Sequence, residues 1–236
     1  MGLFSSRHHL GAPMALAVAL GALSLLSAPA HAVVTGGAIT DYGNASSIFQ
    51  KLSIPFDAPA TSAVDDSTVG QNTFQTPNLY AFDEEQNIFL TTPLSFDVGP
   101  AGAGQVSANQ YVASHYVFFD PAGTLRIQGY VDFDAPIIGV ATSKDNLDAS
   151  DILLNNLVTY LSPSLRGLEA NDSVWIDSAS SSRLRVDFTA SSPGDYVRVF
   201  TQFSPTAAIP LPATAPLLAA AMCWFGLISW RRNKTG

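Results

Sequence analysis

Between residues 33 and 206 the apolar positions recur every second residue. In 124–134, Leu125, Ile127, Val131 and Phe133 share one face, while Arg126, Gln128, Asp132 and Asp134 share the other; this is the period of a half-buried strand. Arg183-Leu184-Arg185-Val186-Asp187-Phe188 and Tyr196-Val197-Arg198-Val199 repeat it, predicting antiparallel strands with one wet face, to which Arg198 belongs. Residues 111–119 (YVASHYVFF) are apolar on both faces and suit a central strand. Residues 87–90 and 136–142 are further strand candidates. Breakers at 99–100, 120–123 and 192–195 separate these runs. One helix is expected near 149–156, capped by Asp148 and carrying Ile152, Leu153 and Leu157 as its apolar stripe. The stretch 33–72 is patterned only weakly, around 48–56, and is expected either to wrap the domain or to fray. Many short strands with one helix in a long connection predict an all-β fold: an antiparallel two-sheet β-sandwich, jelly-roll-like, with one short helix.

Both ends of the chain depart from this period. At the N-terminus Arg7 precedes an apolar run over 10–26, and Ala30-His31-Ala32 forms a small-x-small cleavage site. Residues 1–32 therefore read as a signal peptide, a helix that engages the Sec translocon and is cut after Ala32. Residues 33–203 are the exported β-sandwich domain. Residues 204–212 are a proline-rich, extended spacer. Residues 213–230 are uncharged; as a helix they would span about 27 Å, close to the hydrocarbon thickness of a bilayer. Residues 231–236 open with Arg231 and Arg232, a basic stop that stays in the cytoplasm by the positive-inside rule. The signal peptide and this transmembrane helix independently place the domain between them across the membrane, in the periplasm.

Charge narrows the partners. All 19 acidic residues lie between residues 33 and 206, and of the 11 basic ones only seven do, a net charge of −12 for the exported part. That field repels phosphate backbones, so nucleic acid is excluded as a partner. The single cysteine, Cys223, lies in the C-terminal apolar run, so no disulfide staples the exported part.

Ile209-Pro210-Leu211-Pro212-Ala213, the apolar helix and the arginine pair follow one another at the C-terminus. In that order they resemble the PEP-CTERM sorting signal of Gram-negative bacteria, in the variant written VPLPA, with Ile209 in place of valine. The resemblance covers about 30 residues. It implies recognition and cleavage by an exosortase-type membrane enzyme, and a final location at the cell surface or in the extracellular matrix. It says nothing about activity. The stretches YVFFDP and SPGDYVRV resemble exported domains that carry the same tail and have no settled function.

Candidate chemistry is sparse. Once residues 1–32 are removed, His115 is the only histidine left; it shares a face with Ala113, Val117 and Phe119, as a packed or hydrogen-bonded strand residue does. No G-x-S-x-G elbow is present. With one histidine and no cysteine, zinc and copper sites of the usual kinds are excluded. Asp132 and Asp134 share a strand face and Asp187 lies on another, which is a carboxylate arrangement for glycan hydrolysis or simply an outward, solvated one. Asp145, Asp148 and Asp151 offer hard oxygen ligands that suit calcium, although capping and solvation account for Asp148 and Asp151 more simply. Trp175 joins Ser173 and Asp177 on a strand face, where it either stacks on a sugar ring or lies under a loop.

These features point first to a non-enzymatic exported protein of the cell surface or extracellular matrix, with no cofactor. The alternative is a module that binds carbohydrate such as exopolysaccharide, and behind it stands a carboxylate-based glycan hydrolase. The tail makes a direct prediction: the mature product lacks residues 217–236. Intact-mass analysis of cell-surface protein is expected to miss the WRRNKTG peptide, and its retention would leave a plain membrane anchor.

Overall fold

The computed structural model describes residues 33–202 except 62, 64, 152–156 and 192. In chain order the strands are β1 (Val34–Tyr42), β2 (Phe49–Leu52), β3 (Thr68–Val69), β4 (Leu79–Phe89), β5 (Leu94–Phe96), β6 (Gly104–Val106) and β7 (Tyr111–Phe119). They continue as β8 (Leu125–Phe133), β9 (Ile137–Ala141), β10 (Thr159–Tyr160), β11 (Ser173–Ile176), β12 (Arg183–Ala190) and β13 (Asp195–Gln202), with helix α1 (Lys144–Asp151) after β9. The fold is all-β. One sheet has the order β1-β8-β12-β11 and the other β2-β4-β7-β13-β9; β3 with β10 and β5 with β6 form two small ribbons. Neighbours in the two main sheets run antiparallel, except β2 beside β4.

The two main sheets face each other across a core of mostly aliphatic side chains. Leu79, Val117 and Val197 come from the five-stranded sheet, and Ile127, Leu184 and Phe188 from the four-stranded one. Each such side chain contributes about 1.5–3 kcal/mol on full burial. The alternation in β8 and β12 has its expected meaning here, since their even-numbered and odd-numbered residues respectively stay on the wet side.

The five-stranded sheet is covered on its other face as well. Tyr80, Phe82, Tyr116, Phe118 and Tyr196 form an aromatic layer there, with Phe118 stacked between Tyr80 (ring centroids 5.1 Å apart) and Tyr196 (6.0 Å). Phe56 and Phe74 from the loops and Leu147 of α1 close this second core. Phe96 of β5 lies so close over Gly139 of β9 that a Cβ there would come within 2.3 Å of its ring; only glycine leaves room for it.

This second core corrects one expectation. β13 was predicted to have a wet face, but every residue from Asp195 to Thr201 is buried. Arg198 lies in the second core with no exposed surface, and its guanidinium holds the equally buried Glu84 by two bonds, Nε to Oε2 at 2.7 Å and Nη2 to Oε1 at 3.0 Å. Glu84 also accepts from Ser114 Oγ and Tyr160 Oη, both at 2.6 Å. Arg198 Nη1 donates to the Leu147 carbonyl and Ser150 Oγ and lies 2.9 Å from Asp151 Oδ1. A strand pattern reports which residues alternate, and a paired arginine can occupy an inward position as well as leucine can.

The helix also differs from expectation. It starts earlier, at Lys144, with Ser143 as its cap: the Ser143 carbonyl accepts from Leu147 N–H, and its Oγ accepts from Asn146 N–H at 3.4 Å. The Asp97 carboxylate accepts from the Thr142 and Ser143 amides at 2.7 and 2.8 Å; burial pushes its pKa up, but these bonds outweigh that and hold it below the ordinary value. Asp148 sits within the helix. Ile152 and Leu153 fall outside the described residues, and Leu157 is 83 % exposed. Within its described residues this helix is held by its cap, by Leu147 in the second core and by contacts to Arg166 and Arg198.

Two stability predictions follow from these buried charges. Arg198→Met leaves Glu84 buried without its partner and is expected to cost about 3–5 kcal/mol in urea unfolding. Replacing both residues, as Glu84→Leu with Arg198→Met, is expected to recover part of that loss. The second concerns Asp195, which is 3 % exposed. Burial, with Asp172 and Glu169 nearby, pushes its carboxyl up to about 8, against about 3.9 in the unfolded chain. The folded state then keeps a proton that the unfolded chain has released, so stability falls as pH rises through that window. Asp195→Asn is expected to change little near pH 4 and to raise stability near pH 9 by an amount on the order of a few kcal/mol, read from melting curves at both pH values.

Candidate functional site

Asp83 and Glu84 are consecutive on β4 and so point to opposite faces of the five-stranded sheet. Asp83 points between the main sheets. Its carboxylate accepts from Val34 N–H at 2.8 Å, lies 2.8 Å from His115 Nδ1 and pairs with Lys51 Nζ at 2.9 Å. Burial raises the Asp83 pKa, but His115, Lys51 and the Val34 amide together hold it below the ordinary value. On the far side of the ring, His115 Nε2 lies 3.1 Å from Thr201 Oγ1.

Carboxylate, imidazole and hydroxyl thus stand in the order of a nucleophilic triad. However, His115 and Thr201 are each 0 % exposed. A pocket of about 540 Å³ touches Lys51, Asp83 and Glu84 and is also lined by Val33, Leu52 and Ile54, but neither His115 nor Thr201 lines it. A nucleophile must come within about 3–3.5 Å of its substrate, and this hydroxyl has no surface to offer. The chain of hydrogen bonds instead ties β1, β4, β7 and β13 together. The sequence placed His115 correctly on its inward face; its partners lie 32 and 86 residues away, beyond what periodicity can show.

Two of the three aspartates considered for calcium are paired with cationic side chains of the chain itself. Asp148 Oδ1 and Asp151 Oδ2 bind Arg166 Nη2 at 2.7 and 2.6 Å, Asp148 Oδ2 pairs with Lys144, and Asp151 also meets Arg198. Arginines occupy the positions a cation would take, and Asp145 is not drawn into the cluster. Among the described residues no group of three or more His, Cys, Asp or Glu is arranged to hold a metal ion.

The outer face of the four-stranded sheet brings together more of the exposed chemistry. Register places Ala38, Tyr130, Arg185 and Trp175 in one row across β1, β8, β12 and β11. Arg183 grips Asp132 through Nε at 2.6 Å and Nη2 at 2.8 Å, and its guanidinium stacks 3.9 Å over the Tyr130 ring. Arg126 binds Asp187 in the same two-pronged way and covers the Tyr42 ring at 4.2 Å. Arg185 bonds Asp177 at 2.6 Å. Arg126 and Gln128 hold the Asp187 carboxyl below its ordinary pKa. The candidate hydrolytic carboxylates are thus engaged: Asp132 and Asp187 by arginines, Asp134 by the Val33 amide at 3.3 Å.

Trp175 stands apart in this row. It is 44 % exposed, and among the described residues no ring or guanidinium stacks on it. Of the two sequence alternatives, exposure beside polar groups is the one observed. Sequence reading missed Arg185 and Tyr130 as its companions in that row. Their outward direction was legible in β8 and β12, but which strands lie side by side was not.

The remaining sequence candidates fall outside the described residues: Ala30 and Ala32 of the cleavage site, the sorting motif Ile209 to Ala213, and the stop residues Arg231 and Arg232. Among the described residues no helix is long and apolar enough to cross a membrane. No protein-family model, curated protein or solved structure matches this chain.

Proposed function

We propose that the chain is an exported, non-catalytic binding domain of the cell envelope, and that the outer face of its four-stranded sheet takes a surface or matrix glycan. The leader directs it through the Sec translocon, and the C-terminal helix holds it at the inner membrane until an exosortase-type enzyme cuts near residues 209–213. The scaffold is read as jelly-roll-like because the chain passes from sheet to sheet between β1 and β2, β7 and β8, β8 and β9, and β12 and β13.

One observation carries the glycan reading: Trp175 offers an open ring on a sheet face whose charges are otherwise neutralised in pairs. A sugar ring has an apolar face bordered by hydroxyls. Trp175 suits the former, and Ser173 with the Arg185–Asp177 pair suits the latter. Net attraction to a charged partner is not needed on a face where each arginine already has its aspartate.

Binding of native exopolysaccharide by the exported protein tests this reading, with and without EDTA. Trp175→Ala is expected to weaken binding at least about tenfold, or about 1.4 kcal/mol, while changing folding stability by no more than about 0.5 kcal/mol; EDTA is expected to have no effect. Equal binding by both forms, or binding that EDTA removes, overturns the assignment to this face. Release of new reducing ends that Asp132→Asn abolishes would make the protein a hydrolase instead.

A further inference from the structure

β1 begins one residue beyond the Ala32–Val33 bond, and its first residues are held by carboxylates. Val33 and Asp134 are clamped together at two points: Val33 N–H donates to Asp134 Oδ1 at 3.3 Å, and the Val33 carbonyl accepts from Asp134 N–H at 3.1 Å. The next amide, of Val34, donates to Asp83 Oδ1 at 2.8 Å. Lys51 Nζ binds both the Val34 carbonyl and Asp83 Oδ2, each at 2.9 Å. The start of β1 thus lies at the seam where the two sheets meet, with Asp134 and Asp83 on successive amides.

An amide nitrogen at position 33 brings one N–H to this place and no charge. Hydrolysis of the Ala32–Val33 bond changes that. Water adds across the bond, its oxygen going to the Ala32 carbonyl to give a carboxylate, and the Val33 nitrogen leaves as an amine that is protonated near neutral pH. Three N–H groups and a unit positive charge then stand where a carboxylate already accepts. A charge-assisted bond of this kind is shorter and about twice as strong as a neutral one. Lys51 is the nearby cation that opposes it, but its charge is spent on Asp83.

We infer that the domain contains a built site for its own processed N-terminus, in which the Val33 α-ammonium pairs with Asp134 at the mouth of the sheet seam. Removal of the leader therefore adds an ion pair that the precursor lacks, and the folded domain becomes more stable once cut. The inference rests on the reading of residues 1–32 as a leader cleaved after Ala32.

Two measurements on the exported protein separate the inference from that reading. N-terminal sequencing is expected to start at Val33; another start overturns both. With the start established, a glycine inserted between Ala32 and Val33 leaves a processed chain one residue longer, with its ammonium displaced from Asp134. That insertion is expected to lower the thermal midpoint by about 2–4 °C in the native background and to leave it unchanged beside Asp134→Asn. NMR titration of the α-amino group is expected to give a value above the ordinary range of about 7.7–8.0, returning to that range in Asp134→Asn. An equal drop in both backgrounds, no drop at all, or an unshifted amino group overturns the ion pair and leaves the leader reading intact.

Discussion

A guanidinium and a carboxylate, both fully enclosed, tie the layers of this domain together. Arg198 and Glu84 lie on β13 and β4, on either side of the central strand β7, and Ser114 of β7 completes the group between them. From there Arg198 reaches Leu147 and Ser150 of α1, and Glu84 reaches Tyr160 on β10. Neither charge is tolerable alone away from water. The second core can close over the five-stranded sheet only if helix, ribbon and sheet arrive together. Removing one member leaves several buried polar atoms without partners, so the cost is shared among three elements.

The opposite face of the same sheet is organised differently. Most contacts between the two main sheets are aliphatic and non-directional, and they fix distance more than register. The Asp83–His115–Thr201 chain and Lys51 supply the direction, joining four strands at one edge. A triad-like order of groups here is a warning about reading chemistry from order alone. The groups have suitable spacing, but with His115 and Thr201 fully buried they act as a brace.

The outer face of the four-stranded sheet shows what remains once the interior is satisfied. Its arginines each grip an aspartate, and all three lie over tyrosine rings, Arg185 at the longest distance. This self-neutralised surface leaves the domain's large negative charge to the rest of the molecule. Against that background Trp175 keeps 44 % of its surface open.

The sequence by itself determined the strands whose pattern is purely local. The alternation of β8 and β12, the two-sided apolarity of β7 and the inward direction of His115 follow from side-chain geometry at a period of two, and no partner is needed to read them. β13 was found but wrongly wetted, because Arg198 looks identical in sequence whether it meets water or Glu84 114 residues away. Most of β4 escaped notice because Asp83-Glu84-Glu85-Gln86-Asn87 reads as a polar interruption, and only His115, Lys51 and Arg198 make its carboxylates acceptable inside. The helix starts earlier than its sequence suggests for a related reason: among its described residues Leu147 is the buried apolar anchor, and further support comes from Asp97, Arg166 and Arg198. Tertiary structure alone decided how the site was assembled. Trp175 was legible as an outward residue, but its row with Arg185 and Tyr130 depends on which strands pair, and strand pairing is a long-range choice that the hydrophobic period does not encode.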